Sequence, residues 1–198
     1  MKKIYTILSI IILTSFNSFA QTQFGVKAGF NSSAIGTSES DINQSISAKT
    51  GFQFGGVATI PFSDKVQLRS GVIYNQKGYK VQTIYGEGTG AMDYLEVPVD
   101  FTFMLGSGGF GLSVGPYLAF LLSANAKADG QSQSFANDVK NIDAGLNFGT
   151  SFNIQETMII DTRYGMGLTN ISEGSDIYSD YIVLNGVFSI SFSYMFGG

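Results

Sequence analysis

The chain has 198 residues, among them 25 Gly, 17 Phe and 10 Tyr, and a formal charge of −4. That length sets a prior of one domain, and the Gly- and aromatic-rich profile suits a sheet protein. The absence of Cys and His excludes thiol catalysis, a disulfide scaffold, Ser-His and Cys-His nucleophiles, and Cys- or His-ligated metals. A mildly acidic balance with no basic run argues against nucleic acid as a partner.

Residues 1–20 read as a signal peptide. Lys2 and Lys3 form a basic start, "IYTILSIIILTSF" an apolar stretch, and "NSFA" a small-residue end with Ser18 and Ala20, so cleavage is expected before Gln21. The alternative, an N-terminal membrane anchor, needs roughly 17 to 25 apolar residues, and this run has only about 13. No Cys follows the cleavage site, which excludes a lipid-anchored lipoprotein. Removal of the two lysines takes the charge of the remaining domain, 21–198, from −4 to −6. No segment of that domain approaches the roughly 18 consecutive apolar residues of a spanning helix.

What remains has period two. Eight alternating runs follow one another at 23–31, 50–60, 66–77, 94–105, 110–122, 142–154, 157–169 and 181–196. Each is about 9 to 16 residues, at or above the roughly 9 to 11 with which a tilted strand crosses a bilayer, and longer than the roughly 5 or 6 of an average globular strand. Short connections ("PFSDK", "GSGG", "QE") alternate strictly with long ones ("SSAIGTSESDINQSISAK", "GYKVQTIYGEGTGAMD", 123–141 and "NISEGSDIYSD"). With an even number of strands, that alternation puts all the turns at one end and all the loops at the other. The expected fold is therefore all-β: an eight-stranded antiparallel up-and-down transmembrane β-barrel with short periplasmic turns and four longer extracellular loops.

The facing of the runs supports this. In "DYLEVPVDFTFML", Leu95, Val97, Val99, Phe101 and Phe103 share one side, with Glu96, Pro98, Asp100 and Thr102 on the other. The last run sets Ile182, Leu184, Phe188, Ile190, Phe192, Tyr194 and Phe196 against Asn185, Ser189, Ser191 and Ser193. Eight strands enclose an interior just wide enough to be filled by side chains, so a ring of Phe and Leu from every strand would overfill it. Gly and Ser with a few long charged chains would fit. The apolar face is thus expected outside, against lipid, with Leu184 a candidate near the bilayer midplane.

The inward charges Lys27, Arg69 and Arg163 are expected to compensate Glu96, Asp100, Asp143 and Asp161 in a structural polar network that plugs the barrel. Pro98 cannot donate to a ladder that has no edge, so a bulge or local break is expected there. Tyr79, Tyr85, Tyr178 and Tyr181 are expected in an interfacial aromatic girdle. The acids Glu39, Asp41, Glu87, Glu173, Asp176 and Asp180 match no metal-loop spacing and read as solvated surface. No metal or cofactor is expected.

"FGVKAGFNSS", "LRSGVIYNQKGY", "YLEVPV", "GPYLAFLL" and "RYGMGLTNIS", in this order, resemble the PorT-like outer-membrane β-barrel family of Bacteroidetes. The resemblance spans essentially the whole of 21–198. It implies an outer-membrane location rather than an activity, although the founding member is associated with gliding and protein secretion. The C-terminus also resembles the signal read by the outer-membrane assembly machinery, with Tyr194 and Phe196 as alternating aromatics. It departs in having Ser191 where Gly is usual, and Gly197 and Gly198 after the last aromatic.

The leading functional expectation is a non-enzymatic envelope or interaction protein with outer-membrane lipid around it, the assembly machinery as a partner in biogenesis, and an unidentified protein partner at its loops. The alternative is a component of a secretion or gliding apparatus. A lipid-modifying barrel enzyme and a soluble ligand-binding barrel rank lower. Glu96 and Asp100 lie roughly 13 Å apart along a strand, too far for a directly coupled pair.

Overall fold

A computed structural model describes residues 22–37, 45–83, 86–128, 131–155, 157–173 and 182–196. The predicted signal peptide lies outside the described residues, as do Tyr85, Tyr178 and Tyr181. The strands are β1 (Gln23–Thr37), β2 (Ile46–Ser63), β3 (Val66–Thr83), β4 (Gly86–Leu105), β5 (Phe110–Ala128), β6 (Gln131–Ser134), β7 (Ile142–Ile154), β8 (Met158–Gly167) and β9 (Val183–Phe196). All pairings are antiparallel and join chain neighbours, except that β5 passes over the short β6 to pair with β7 and that β1 pairs with β9. The ring closes where β1 meets β9, from Phe24↔Phe196 to Thr37↔Val183. Eight strands form the wall; β6 stands outside it as a hairpin on the end of β5.

The three short turns lie at one end. Asp64 and Lys65 join β2 to β3, and the Lys65 backbone N–H donates to Ser63 Oγ at 3.3 Å. The β4–β5 turn places Gly106 at φ 66° and Gly109 at φ 76°, a region where a side chain is strained and Gly is not.

At the other end the strands outrun the sequence pattern. The segment 78–93, expected as a loop, is nearly all ladder, with β3 continuing to Thr83 and β4 beginning at Gly86. Segment 123–141 likewise contains the end of β5, the whole of β6 and one 3-10 turn at Ala136–Asp138. Backbone pairing persists here while the alternation of large apolar and small polar residues fades, because beyond the apolar belt no lipid selects one face.

The faces divide as expected. Phe24, Phe30, Phe101, Phe103, Phe120, Phe148, Phe188 and Phe192 are exposed, whereas Lys27, Glu96, Asp100 and Asp143 are buried. On β4 the outward apolar positions run from Leu95 to Leu105. That is roughly 34 Å of strand, or about 25 Å of height at a 40° tilt, which equals the apolar band of an outer-membrane barrel. Above it an outward polar chain crosses four neighbouring strands. Lys49 Nζ donates to Gln76 Oε1 at 3.2 Å, Gln76 Nε2 to Asp93 Oδ1 at 3.2 Å, and Ser123 Oγ to Asp93 Oδ2 at 2.8 Å. No helix among the described residues is long and apolar enough to cross a membrane; the strands do so.

Pro98 interrupts the wall as a break in the ladder, not a bulge. Between β3 and β4 no pair forms from Ser70↔Val99 to Ile73↔Glu96, and between β4 and β5 none forms from Pro98↔Tyr117 to Phe101↔Val114. Register is unchanged across both gaps. Two prolines meet here, Pro98 on β4 and Pro116 on β5, and each removes a donor. Ser70 Oγ donates to the Pro98 carbonyl at 2.8 Å, satisfying one of the freed acceptors.

Candidate functional site

The interior is built by the alternate residues of all eight wall strands. Gly and Ser at many inward positions leave room for long side chains, and those side chains are charged. Toward the turn end, Asp161 on β8 accepts from Lys27 Nζ of β1 at 3.4 Å and from Arg69 Nη1 of β3 at 3.0 Å. Arg69 Nη2 also donates to Asn153 Oδ1 at 2.9 Å. In the middle, Arg163 on β8 reaches Asp100 at 2.9 Å and Glu96 at 3.7 Å, both on β4. Toward the loop end, Lys77 Nζ lies 3.1 Å from Glu96 Oε2 and 3.0 Å from Asp143 Oδ2 on β7.

All seven charges named from the sequence therefore face the interior, but their partnerships are specific. Lys27 and Arg69 serve Asp161, while Glu96 and Asp100 share Arg163. The residue that sequence reasoning left out is Lys77. Three cations against four anions leave one carboxylate over, and Lys77 makes the set four against four. Its parity on β3 matches Arg69 and Asn75, which was the available signal. It is the last residue of the alternating run 66–77, whereas β3 continues to Thr83 and leaves Lys77 almost completely buried.

Amides and phenols complete the shell. Asn75 Nδ2 donates to Glu96 Oε2 at 3.0 Å, Asn147 Nδ2 to Asp100 Oδ1 at 3.1 Å, and Asn185 Nδ2 to Asp143 Oδ2 at 2.9 Å. The Tyr117 hydroxyl donates to Asp143 Oδ2 at 3.3 Å. The Lys77 ammonium also sits 5.0 Å from the Tyr94 ring centroid and 4.5 Å from that of Tyr117, a cation–π sandwich in a desolvated place. Each buried carboxylate thus has at least one cation and one neutral donor close by or, for Asp161, two cations.

An apolar cluster lies over this charged column at the loop end. Met92, Tyr94, Tyr117, Ala119 and Ala124 from the wall pack with Val139 and Ile171 from the connections after β6 and β8. Those connections are tied together: Val139 bridges Ser172, Lys140 N–H donates to the Ile171 carbonyl at 2.8 Å, and Glu173 N–H to the Asp138 carbonyl at 3.0 Å. Tyr79 belongs to the edge of this cap, half-buried on its inner side, and not to an outward girdle as expected. Its ring lies against Gly90, where a Cβ would come within 2.7 Å of it. Among the described residues no group of three or more acidic side chains could hold a metal ion.

The outer membrane protein β-barrel domain family matches residues 19–173. The chain belongs to that family. This outer-membrane barrel also matches the crystal structure of Neisserial surface protein A, with TM-score 0.58 at 15% identity over 87% of this chain and 97% of that one. Ail, the attachment invasion locus protein of Yersinia pestis, solved with the heparin analogue sucrose octasulfate, matches at TM-score 0.49 and 16% identity over 88% and 99%. At such identities the likeness concerns the fold alone. No curated protein matches the chain. The family and the fold place the protein in the outer membrane of a Gram-negative bacterium. The family matched is broader than the PorT-like group that the sequence motifs resemble.

Proposed function

We propose that this outer-membrane barrel is a non-enzymatic envelope or interaction protein that works through its loop end. The observation that carries the reading is the double closure of its interior: a charge-balanced column fills it, and the Val139–Ile171 cap covers that column. An eight-stranded wall has no room for an aqueous channel besides. Among the described residues the inward carboxylates Glu96, Asp100, Asp143 and Asp161 are each committed to a cation, and the chain has no His, so none of these four stands ready as a general base or nucleophile. What the protein offers the exterior is the set of ladders rising beyond the apolar belt on β3, β4, β5 and β6.

The aromatic pair Tyr194 and Phe196, outward on β9 with centroids 5.7 Å apart, fits the role of an assembly signal. A place in a secretion or gliding apparatus rests on the PorT-like resemblance alone.

Photocrosslinking in the native envelope tests the reading. A crosslinkable residue at Thr89 or Ser132, on the projecting ladders, should give discrete protein or lipid adducts, and one at Asp64 in a periplasmic turn should not. Turnover of phospholipid by the purified protein in mixed micelles, or steady single-channel conductance in planar bilayers, would overturn it.

A further inference from the structure

The charged column is neutral as a whole but not along its length. Assigned to its nearest cation, Asp100 belongs to Arg163 at 2.9 Å, while Glu96 and Asp143 both belong to Lys77, at 3.1 and 3.0 Å. Asp161 at the turn end is left to serve two cations, Arg69 at 3.0 Å and Lys27 at 3.4 Å. The turn end therefore carries one positive charge in surplus and the loop end one negative. The surplus falls on Lys27, whose ion pair is the longer of the two and whose side chain is only 3% exposed. A cavity of about 30 Å³ lies beside it, lined by Lys27, Thr59, Arg69, Asp161, Arg163 and Ser193 among others. Asp100 lines it too, but is held by Arg163 and by Asn147 Nδ2 at 3.1 Å.

A buried charge left uncompensated is costly, and buried charges are paired as a rule. The cavity exceeds the roughly 10 to 15 Å³ that one water-sized guest requires. Its lining holds three cations, Lys27, Arg69 and Arg163, against two carboxylates, Asp100 and Asp161, and so favours an anion. We propose that the turn end of the barrel interior is a binding site for one chloride ion, held by the Lys27 ammonium in the field of Arg69 and Arg163, with the Thr59 and Ser193 hydroxyls as further donors. The surplus is a single unit, which a monovalent anion cancels and a divalent one would overshoot. Arg69 and Asp161 each keep 13% side-chain exposure, so solvent reaches this layer from the turn end. On the other side Arg163 is fixed by Asp100 and Glu96. A guanidinium held by two carboxylates neither moves aside nor gives up a proton. The site is therefore a dead end that chloride enters and leaves by the same mouth, and the barrel stays closed to ion flow.

The test uses the full-length processed barrel refolded in zwitterionic micelles and reads the chlorine-35 NMR line width, which broadens when chloride exchanges with a protein site. The broadening above that of empty micelles should saturate with chloride. Lys27→Met should reduce it to about a fifth or less, because the ammonium is the nearest charge to the ion. Lys127→Gln, on the projecting part of β5, should leave it unchanged, because an exposed charge is screened by water and salt. Absence of saturable broadening in the unsubstituted barrel overturns the proposal. So does equal loss in the two variants, which would mean binding at the surface, or undiminished binding by Lys27→Met. Asp161→Asn gives a second readout should Lys27→Met fail to fold. It raises the local surplus to two charges and should tighten chloride binding by about tenfold or more; unchanged or weaker binding overturns the proposal as well.

Discussion

Replacing Lys77 by Met should strongly destabilise the barrel. The substitution preserves the stem between Tyr94 and Tyr117 but removes the ammonium that sits 3.1 Å from Glu96 and 3.0 Å from Asp143, with side-chain exposures of 1%, 5% and 0% respectively. Glu96 keeps Arg163 at 3.7 Å and Asn75 at 3.0 Å. Asp143 retains only the neutral donors Asn185 and Tyr117. Removing one partner of a buried pair costs about 3 to 5 kcal/mol, because the remaining charge is left uncompensated in a poorly polarisable place. Most of that should fall on Asp143. Adding Asp143→Asn should therefore bring the double variant back to within about 2 kcal/mol of the original barrel, a non-additivity that reports direct coupling. The chain has no Trp, so unfolding in urea is best followed by far-ultraviolet circular dichroism in lipid vesicles, with the heat-modifiable shift in gel mobility as a second probe. A loss below about 1 kcal/mol for Lys77→Met, or a double variant as unstable as the single one, would refute the view that Lys77 balances the column.

Facing and topology can be tested at other sites. Ile190→Arg, outward near the middle of β9, should cost about 2 to 4 kcal/mol, whereas Leu184→Arg should cost about 1 kcal/mol or less. Leu184 was the natural midplane candidate from sequence, but it lies one residue into β9, opposite Gly36 at the loop end; equal costs in the urea titration would contradict the belt described above. Gly115→Ala should lose about 1 to 3 kcal/mol, since a Cβ there would meet the Val99 carbonyl and Asp100 Cα across the ladder break; unchanged stability would show that the β4–β5 seam is slack. In a chain without Cys, Ser132→Cys should react with a membrane-impermeant maleimide on intact cells and Asp64→Cys only after lysis; the reverse pattern would invert the topology.

The sequence alone determined the class of fold and its inside-out character, because both follow from local chemistry that repeats along every strand. Alternation at period two assigns each residue to a face, and an eight-stranded wall can accommodate only the small and polar face within. Strand parity thus suffices to mark Lys27, Arg69, Glu96, Asp100, Asp143, Asp161 and Arg163 as inward residues. Only the tertiary structure decided which charges meet, since partnership depends on strand stagger around the ring, which no single strand encodes. It is the stagger that brings Arg163 of β8 to Asp100 and Glu96 of β4, and Lys77 of β3 to Asp143 of β7. It also decided where strands stop: beyond the belt the ladders run on without the alternation that lipid imposes, so Lys77 stood at the end of its run and Tyr79 looked interfacial. The apolar cap was illegible for the same reason, as Val139 and Ile171 are isolated apolar residues in polar segments and become a cluster only when two connections cross over the barrel mouth.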